Sequence, residues 1–150
     1  MDHHKLLETA RQLLPWLVET RRDFHAHPET SMSETRTCKK ICAHLEGMGI
    51  PYKVHAGTGV VGRIRVPGAD KTIALRADID ALPMSDGKTV PYKSTREGIM
   101  HACGHDVHTT ILLGAARLLS HMPNLTRNVT LVFQTGEETC EGAKALIAEG

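Results

Sequence analysis

Two changes in the period of the apolar residues constrain the fold more than any other feature of this chain. Over the first third, apolar side chains recur at helical spacing: Leu6, Leu7, Ala10, Leu13, Leu14 and Leu17, and later Ile41 and Leu45 within residues 33–48. From Tyr52 the period falls to two. Residues 52–55, 60–66 and 72–77 read as strands separated by turns that contain Gly or Pro. Residues 81–100 are rich in Pro, Gly, Ser and Lys and read as loop. Helical spacing returns over 107–121, where Ile111, Leu112, Ala115, Leu118 and Leu119 form one stripe. Residues 129–133 read as a short strand, and 143–149 begin another helix. Helices and strands interleaved in this way predict an α/β layered domain rather than a bundle or a sandwich.

Local signals refine the boundaries. Pro15 leaves two arrangements open: a helix that ends near Leu13, or a second helix that carries Pro15 in its first turn. That second stretch runs from Trp16 to His25 and stops at Pro28. Ser33 is the expected N-cap of the next helix, and Gly47 or Gly49 its stop. His3 and His4 are read as part of a free terminus. With 150 residues and no internal repeat, the chain fits one domain able to bury roughly 70% of its unfolded surface. Two Phe, two Tyr and one Trp leave the core to Leu, Ile, Val, Ala and Met.

Charge and cysteine content exclude several classes. Lys plus Arg number 18 and Asp plus Glu 17, so the basic excess of a nucleic-acid-binding protein is missing. No apolar run approaches the ~20 residues of a membrane span, and the opening MDHHKLLETARQLL does not read as a secretory signal. Cys38, Cys42, Cys103 and Cys140 form no CxxC pair, and free thiols in a cytoplasmic protein are the expected state. Cys38 and Cys42 share a helical face with Ile41 and Leu45 and read as small buried hydrophobes.

The histidines, ten in all, concentrate the chemistry. In His101-Ala-Cys103-Gly-His105-Asp106-Val-His108, three imidazoles, a thiol and a carboxylate fall directly before an apolar helix. Gly104 lets the chain bend so that Cys103 and His105 face one way, and thiolate with imidazole suits zinc or another borderline first-row metal. Asp106 fits a helix cap or a partner to a ligand, and His108, on the first turn of the helix, fits a surface or such a supporting place better than direct ligation. His101 is open between the two. Gln134-Thr-Gly-Glu137-Glu138 follows a strand, where ligand sites of open α/β sheets lie. A turn there can aim one glutamate at a metal and the other at a water. In Leu75-Arg76-Ala77-Asp78-Ile79-Asp80-Ala81-Leu82-Pro83, Asp78 and Asp80 are balanced between ligand work and turn capping. Arg21 to Glu29, RRDFHAHPE, reads as structural, with His25 a candidate to line a cleft. His44, His55 and His121 carry no role.

Together, RRDFHAHPE, LRADIDALPM, MHACGHDVHTTILLGAARLL and LVFQTGEE with the following EGAKALIAEG resemble the amidohydrolases of the peptidase M20 family. The likeness is to subfamily D, the N-acyl-amino-acid amidohydrolases, hippurate hydrolases and auxin-conjugate hydrolases, and it runs from Arg21 to Gly150. It implies a mixed, twisted sheet flanked by helices, the N-terminal portion of a zinc-exopeptidase-like catalytic domain. It makes Cys103, His105 and Glu138 metal ligands and Glu137 the general base. Asp78 matches the catalytic acidic position that supports a metal-binding histidine in other branches, and Arg76 stands where that histidine would be. Thr135-Gly136 departs from the Pro-Ala usual in this branch and is expected to loosen the turn while leaving both glutamates in place.

The resemblance further implies two divalent ions in a complete site, Zn2+ or Mn2+, with Co2+ or Ni2+ as alternatives. The implied reaction is metal-assisted hydrolysis of a small N-acyl amino acid, with Glu137 deprotonating the attacking water and returning the proton to the departing amine. Neither nucleic acid nor membrane is an expected partner, and full-length relatives are expected to be homo-oligomers. The family's remaining metal-ligating histidines, its dimerising lid domain and the last part of its catalytic domain are expected beyond Gly150. The alternative expectation is therefore a catalytically incomplete fragment or metal-binding remnant of such an enzyme.

Overall fold

In this computed structural model, residues 3–150 are described, with side chains from His4 onward. Met1, Asp2 and the side chain of His3, all part of the terminal reading above, lie outside the described residues. His4 is not free chain: it is an exposed residue of helix α1 (His3–Gln12). Helix α1 ends at Gln12, next to Leu13, and helix α2 (Leu14–Ala26) carries Pro15 in its first turn, so both expected arrangements hold.

Helix α3 (Thr35–Gly47) corrects the expected cap. Its first flanking residue is Glu34, not Ser33, and no adjacent side chain caps it. The buried carboxylate of Glu29 does so instead, accepting the backbone N–H of Arg36 at 3.1 Å and of Thr37 at 2.8 Å. A carboxylate there satisfies two unpaired donors and faces the positive end of the helix dipole, an advantage a neutral serine lacks. The helix includes Gly47 and stops before Gly49.

Strands β1 (Tyr52–His55), β2 (Gly59–Ile64), β3 (Thr72–Asp78) and β4 (Asn128–Gln134) form one sheet in the order β1-β2-β4-β3. β1 with β2 and β2 with β4 are antiparallel; β3 with β4 is parallel, joined through α4 (His105–Ser120). Alternation along β4 buries Val129, Leu131 and Phe133, which join Phe24, Ile41, Leu45, Val60 and Leu113 in the core. Burying such a side chain fully stabilises the fold by about 1.5–3 kcal/mol. Helices lie on both faces: a side chain at Gly62 would meet Leu45 of α3, whereas one at Gly59 would meet Leu146 of α5 (Gly142–Ala148).

The mixed α/β architecture therefore agrees with the alternating periods. Residues 81–100 contain no helix or strand beyond isolated bridges at Ala81, Leu82 and Met100. Buried Asp86 organises that loop by accepting the backbone N–H groups of Lys88 and Ser94. Among the described residues no helix is long and apolar enough to cross a membrane. The parallel pairing of β3 and β4 matters most for function, because it brings their carboxyl ends together, with Asp78 opposite Gln134.

Candidate metal centre

Three backbone features converge at that sheet end. Asp78 closes β3 and Asp80 follows two residues later; Glu137 and Glu138 lie on the turn after β4. Gly104 precedes α4 with φ of +93°, a left-handed conformation open to glycine, and so turns Cys103 and His105 toward the strand ends. His105 is the first residue of α4 and is buried.

His105 is the centre of the site. Its Nδ1 lies 2.9 Å from the Asp80 carbonyl oxygen and 3.1 Å from Asp80 Oδ1, so this nitrogen carries the proton and donates it. Nε2 is thereby left to face Asp78 Oδ1 at 3.5 Å, Glu137 Oε2 at 3.7 Å and Glu138 Oε1 at 3.8 Å. The other Asp80 oxygen accepts the Ser31 hydroxyl at 2.6 Å and the Glu138 backbone N–H at 2.9 Å. One carboxylate thus fixes the tautomer of His105 and the backbone of Glu138. Burial opposes ionisation of Asp80, but the hydrogen bonds from His105, Ser31 and Glu138 outweigh it and bring its pKa to about 2. Burial likewise opposes the His105 cation, yet its hydrogen bond to Asp80 and the charges of Asp78 and Asp80 lift it to about 8.

The donor set fits a divalent ion. One ligand atom each from Cys103, His105 and Glu138 lies within 4.8 Å of the others. Glu138 Oε1 is buried with no hydrogen-bond partner, a costly state for a carboxylate oxygen unless a cation meets it. Thiolate, imidazole and carboxylate suit zinc and its first-row neighbours. Without an ion, burial and the negative charge of Glu138 push the Cys103 thiol above its ordinary pKa; a bound cation opposes both by stabilising the thiolate. Asp78, His105 and His108 form a second trio of the same tightness. In that trio Asp78 is held by His108 Nδ1 at 2.6 Å and by Arg76 at 3.2 Å.

Behind the centre runs a buried polar chain. Asp106 Oδ2 lies 2.9 Å from Arg21 and 2.7 Å from His25 Nδ1, while His25 Nε2 faces Asp86 at 3.4 Å. His25 is therefore a core residue tied to α4 rather than one lining an open cleft. His101 is buried with neither ring nitrogen hydrogen-bonded, and burial lowers its pKa to about 4, so it is neutral.

Residues 74–150, more than half of the chain, match peptidase family M20/M25/M40. The chain belongs to that family. Among its relatives, it is 45% identical over 150 residues to the IAA-amino acid hydrolase ILR1-like 2 of Arabidopsis thaliana, covering 97% of this chain and 34% of that protein. To thermostable carboxypeptidase 1 of Saccharolobus solfataricus it is 40% identical over 151 residues, covering 97% and 38%. The Bacillus subtilis YXEP protein, a dinuclear metal-binding peptidase of the M20 family, superposes with a TM-score of 0.88 at 39% identity, covering 92% of this chain and 39% of that one. The chain thus spans little more than a third of the length of these proteins.

The fold brings Asp78, Cys103, His105, Glu137 and Glu138, all named from the sequence, to one end of the sheet. Asp80 is the residue that sequence reasoning left undecided. Its signal was position, two residues past a strand that ends at the site. His108 lies beside Asp78, in the second trio whose atoms are close enough to meet one ion. Asp106, inside the first turn of α4, accepts the backbone N–H of Val107 at 2.9 Å and anchors Arg21 and His25, neither of which belongs to the metal cluster; the N-cap of α4 is Gly104, which carries no side-chain cap.

Proposed function

We propose that this chain is the metal-holding portion of an M20 amidohydrolase that cleaves N-acyl amino acids, with Cys103, His105 and Glu138 as ligands and Glu137 as general base. The observation that carries the reading is the unpartnered, buried Glu138 Oε1, which faces His105 Nε2 in the same cluster as Cys103. The M20 membership and the amide-conjugate hydrolase among the relatives support the reaction class.

Divalent ions, Zn2+ or Mn2+ with Co2+ or Ni2+ as alternatives and two in a complete site, would supply Lewis acidity to a water and to the scissile carbonyl. The chain's own residues do the rest. Glu137 is half-exposed and lies 3.7 Å from His105 Nε2, so its carboxylate reaches both solvent and the centre. It takes a proton from the attacking water and delivers it to the nitrogen of the departing amino acid. Glu138, with its backbone N–H tied to Asp80, stays a ligand and does not compete for that proton. Asp78 is the catalytic candidate with an indirect part: its carboxylate faces His105 Nε2 and orders His108 and Arg76 around it.

A cytoplasmic, homo-oligomeric enzyme acting on a small-molecule substrate completes the proposal, and the four free thiols support that compartment. The 34% and 38% coverage of the relatives makes the activity proposed here that of the whole protein. The test is amine release from N-acetyl and N-benzoyl amino acids by the full-length protein loaded with each metal. Release that disappears on chelation is expected; none with any metal overturns the substrate class.

A further inference from the structure

Glu34 carries a carboxylate that is completely buried and makes no ion pair among the described residues. Neutral donors hold all of it. Oε1 accepts the backbone N–H of Met32 at 3.1 Å and of Gly136 at 2.9 Å. Oε2 accepts the hydroxyls of Thr58 at 2.5 Å and Thr135 at 2.6 Å. Two of these four donors, from Thr135 and Gly136, belong to the turn that leads directly into Glu137 and Glu138.

The same short segment is fastened at its other end to the histidine side of the centre. Thr30 bridges Ala81, and the Ser31 hydroxyl donates to Asp80, whose second oxygen takes the His105 proton. Between these anchors Met32 has φ of +61°, a strained conformation for a side-chain-bearing residue that persists only where surrounding contacts enforce it. Its sulfur lies where a side chain at Gly136 would come within 2.7 Å, so Gly136, itself at φ of +58°, is the residue that fits beneath it.

We propose that residues 30–34 form a strap across the ends of β3 and β4, and that Glu34 is a positioning residue for Glu137 and Glu138. The strap sets the distance between the residue that aims His105 and the turn that carries base and ligand. Thr135 is an integral part of it: the departure from Pro-Ala supplies a hydroxyl to Glu34 and pins the turn, contrary to the loosening expected from the sequence. A rigid support of this kind stiffens the ligand geometry before an ion arrives.

The inference rests on the metal-site reading above and is tested in the full-length protein by Co2+ affinity together with kcat and KM for an N-acetyl amino acid. Thr135→Val removes the hydroxyl and keeps the shape; Glu34→Gln removes acceptor capacity. Each is expected to raise the Co2+ dissociation constant roughly tenfold and to lower kcat by a similar factor, with KM within about twofold. Thr135→Ser restores both. If Thr135→Val does not fold, Ser31→Ala cuts the opposite anchor and carries the same expectation. Unchanged Co2+ affinity in the folded variants overturns the strap. Absent turnover in the unsubstituted protein overturns the substrate reading instead, and the Co2+ affinities still decide the strap.

Discussion

Asp80 Oδ1 lies 3.1 Å from His105 Nδ1, and through its other oxygen the same carboxylate holds the Glu138 backbone N–H at 2.9 Å. Two of the three proposed ligands therefore depend on one side chain that is not itself among the three. Asp80→Ala releases the imidazole tautomer and the glutamate turn together. It is expected to weaken metal binding by about 10- to 100-fold, read by competition with a chromophoric chelator. Affinity within twofold of the unsubstituted protein would show that His105 is oriented by something else.

Glu137 and Glu138 are neighbours with opposite expectations. Glu137→Gln keeps the size of the side chain but cannot accept the water proton, so turnover should fall by roughly 10²- to 10⁴-fold while metal content is unchanged. Elemental analysis alongside the rate separates the two. Undiminished hydrolysis would remove Glu137 from the role of base.

Protonation of the centre gives two pH windows. The folded pKa of Asp80, about 2, lies below the ordinary 3.8, so its contribution to stability is present above 3.8 and lost as pH falls through 2. That of His105, about 8, lies above 6.5, so its contribution in the metal-free protein is complete below 6.5 and lost as pH rises through 8. Binding needs a neutral His105 Nε2 and a Cys103 thiolate, so at pH 7 the ion held by this pair should displace roughly two protons. Calorimetry in buffers of different ionisation enthalpy counts them. A count near zero would contradict both assignments.

Away from the centre, Glu29 is the side chain on which the start of α3 depends. Glu29→Ala leaves the N–H groups of Arg36 and Thr37 unpaired in a buried place. A loss of about 2 kcal/mol in unfolding free energy is expected by denaturant titration. A change under 0.5 kcal/mol, on the order of an ordinary surface substitution, would mean that solvent caps the helix equally well.

What was legible in the sequence was local. Cys103 and His105 are two residues apart, and Glu137 and Glu138 are adjacent, so their chemistry is visible without knowing the fold. The periodic stretches likewise showed the interleaved helices and strands, because burial repeats along each element. What escaped depends on pairing across the chain. Asp80 meets His105 25 residues away, and Glu34 meets Thr135 101 residues away. Ser33 looked like the cap of α3 because it stands next to the helix; Glu29, several residues earlier, reaches the same donors once the chain turns. The hydrogen bonds of Thr135-Gly136 were hidden for the same reason, since their partner Glu34 lies far away in the sequence.

The most direct test of the ligand set is a Co2+ titration of the full-length protein followed by absorption, compared with Cys103→Ala. The unsubstituted protein should develop a thiolate-to-cobalt charge-transfer band that saturates with metal content, and Cys103→Ala should lose the band and bind metal less completely. Cobalt bound at full stoichiometry with no thiolate band, or an identical spectrum in Cys103→Ala, would contradict a centre built on Cys103, His105 and Glu138.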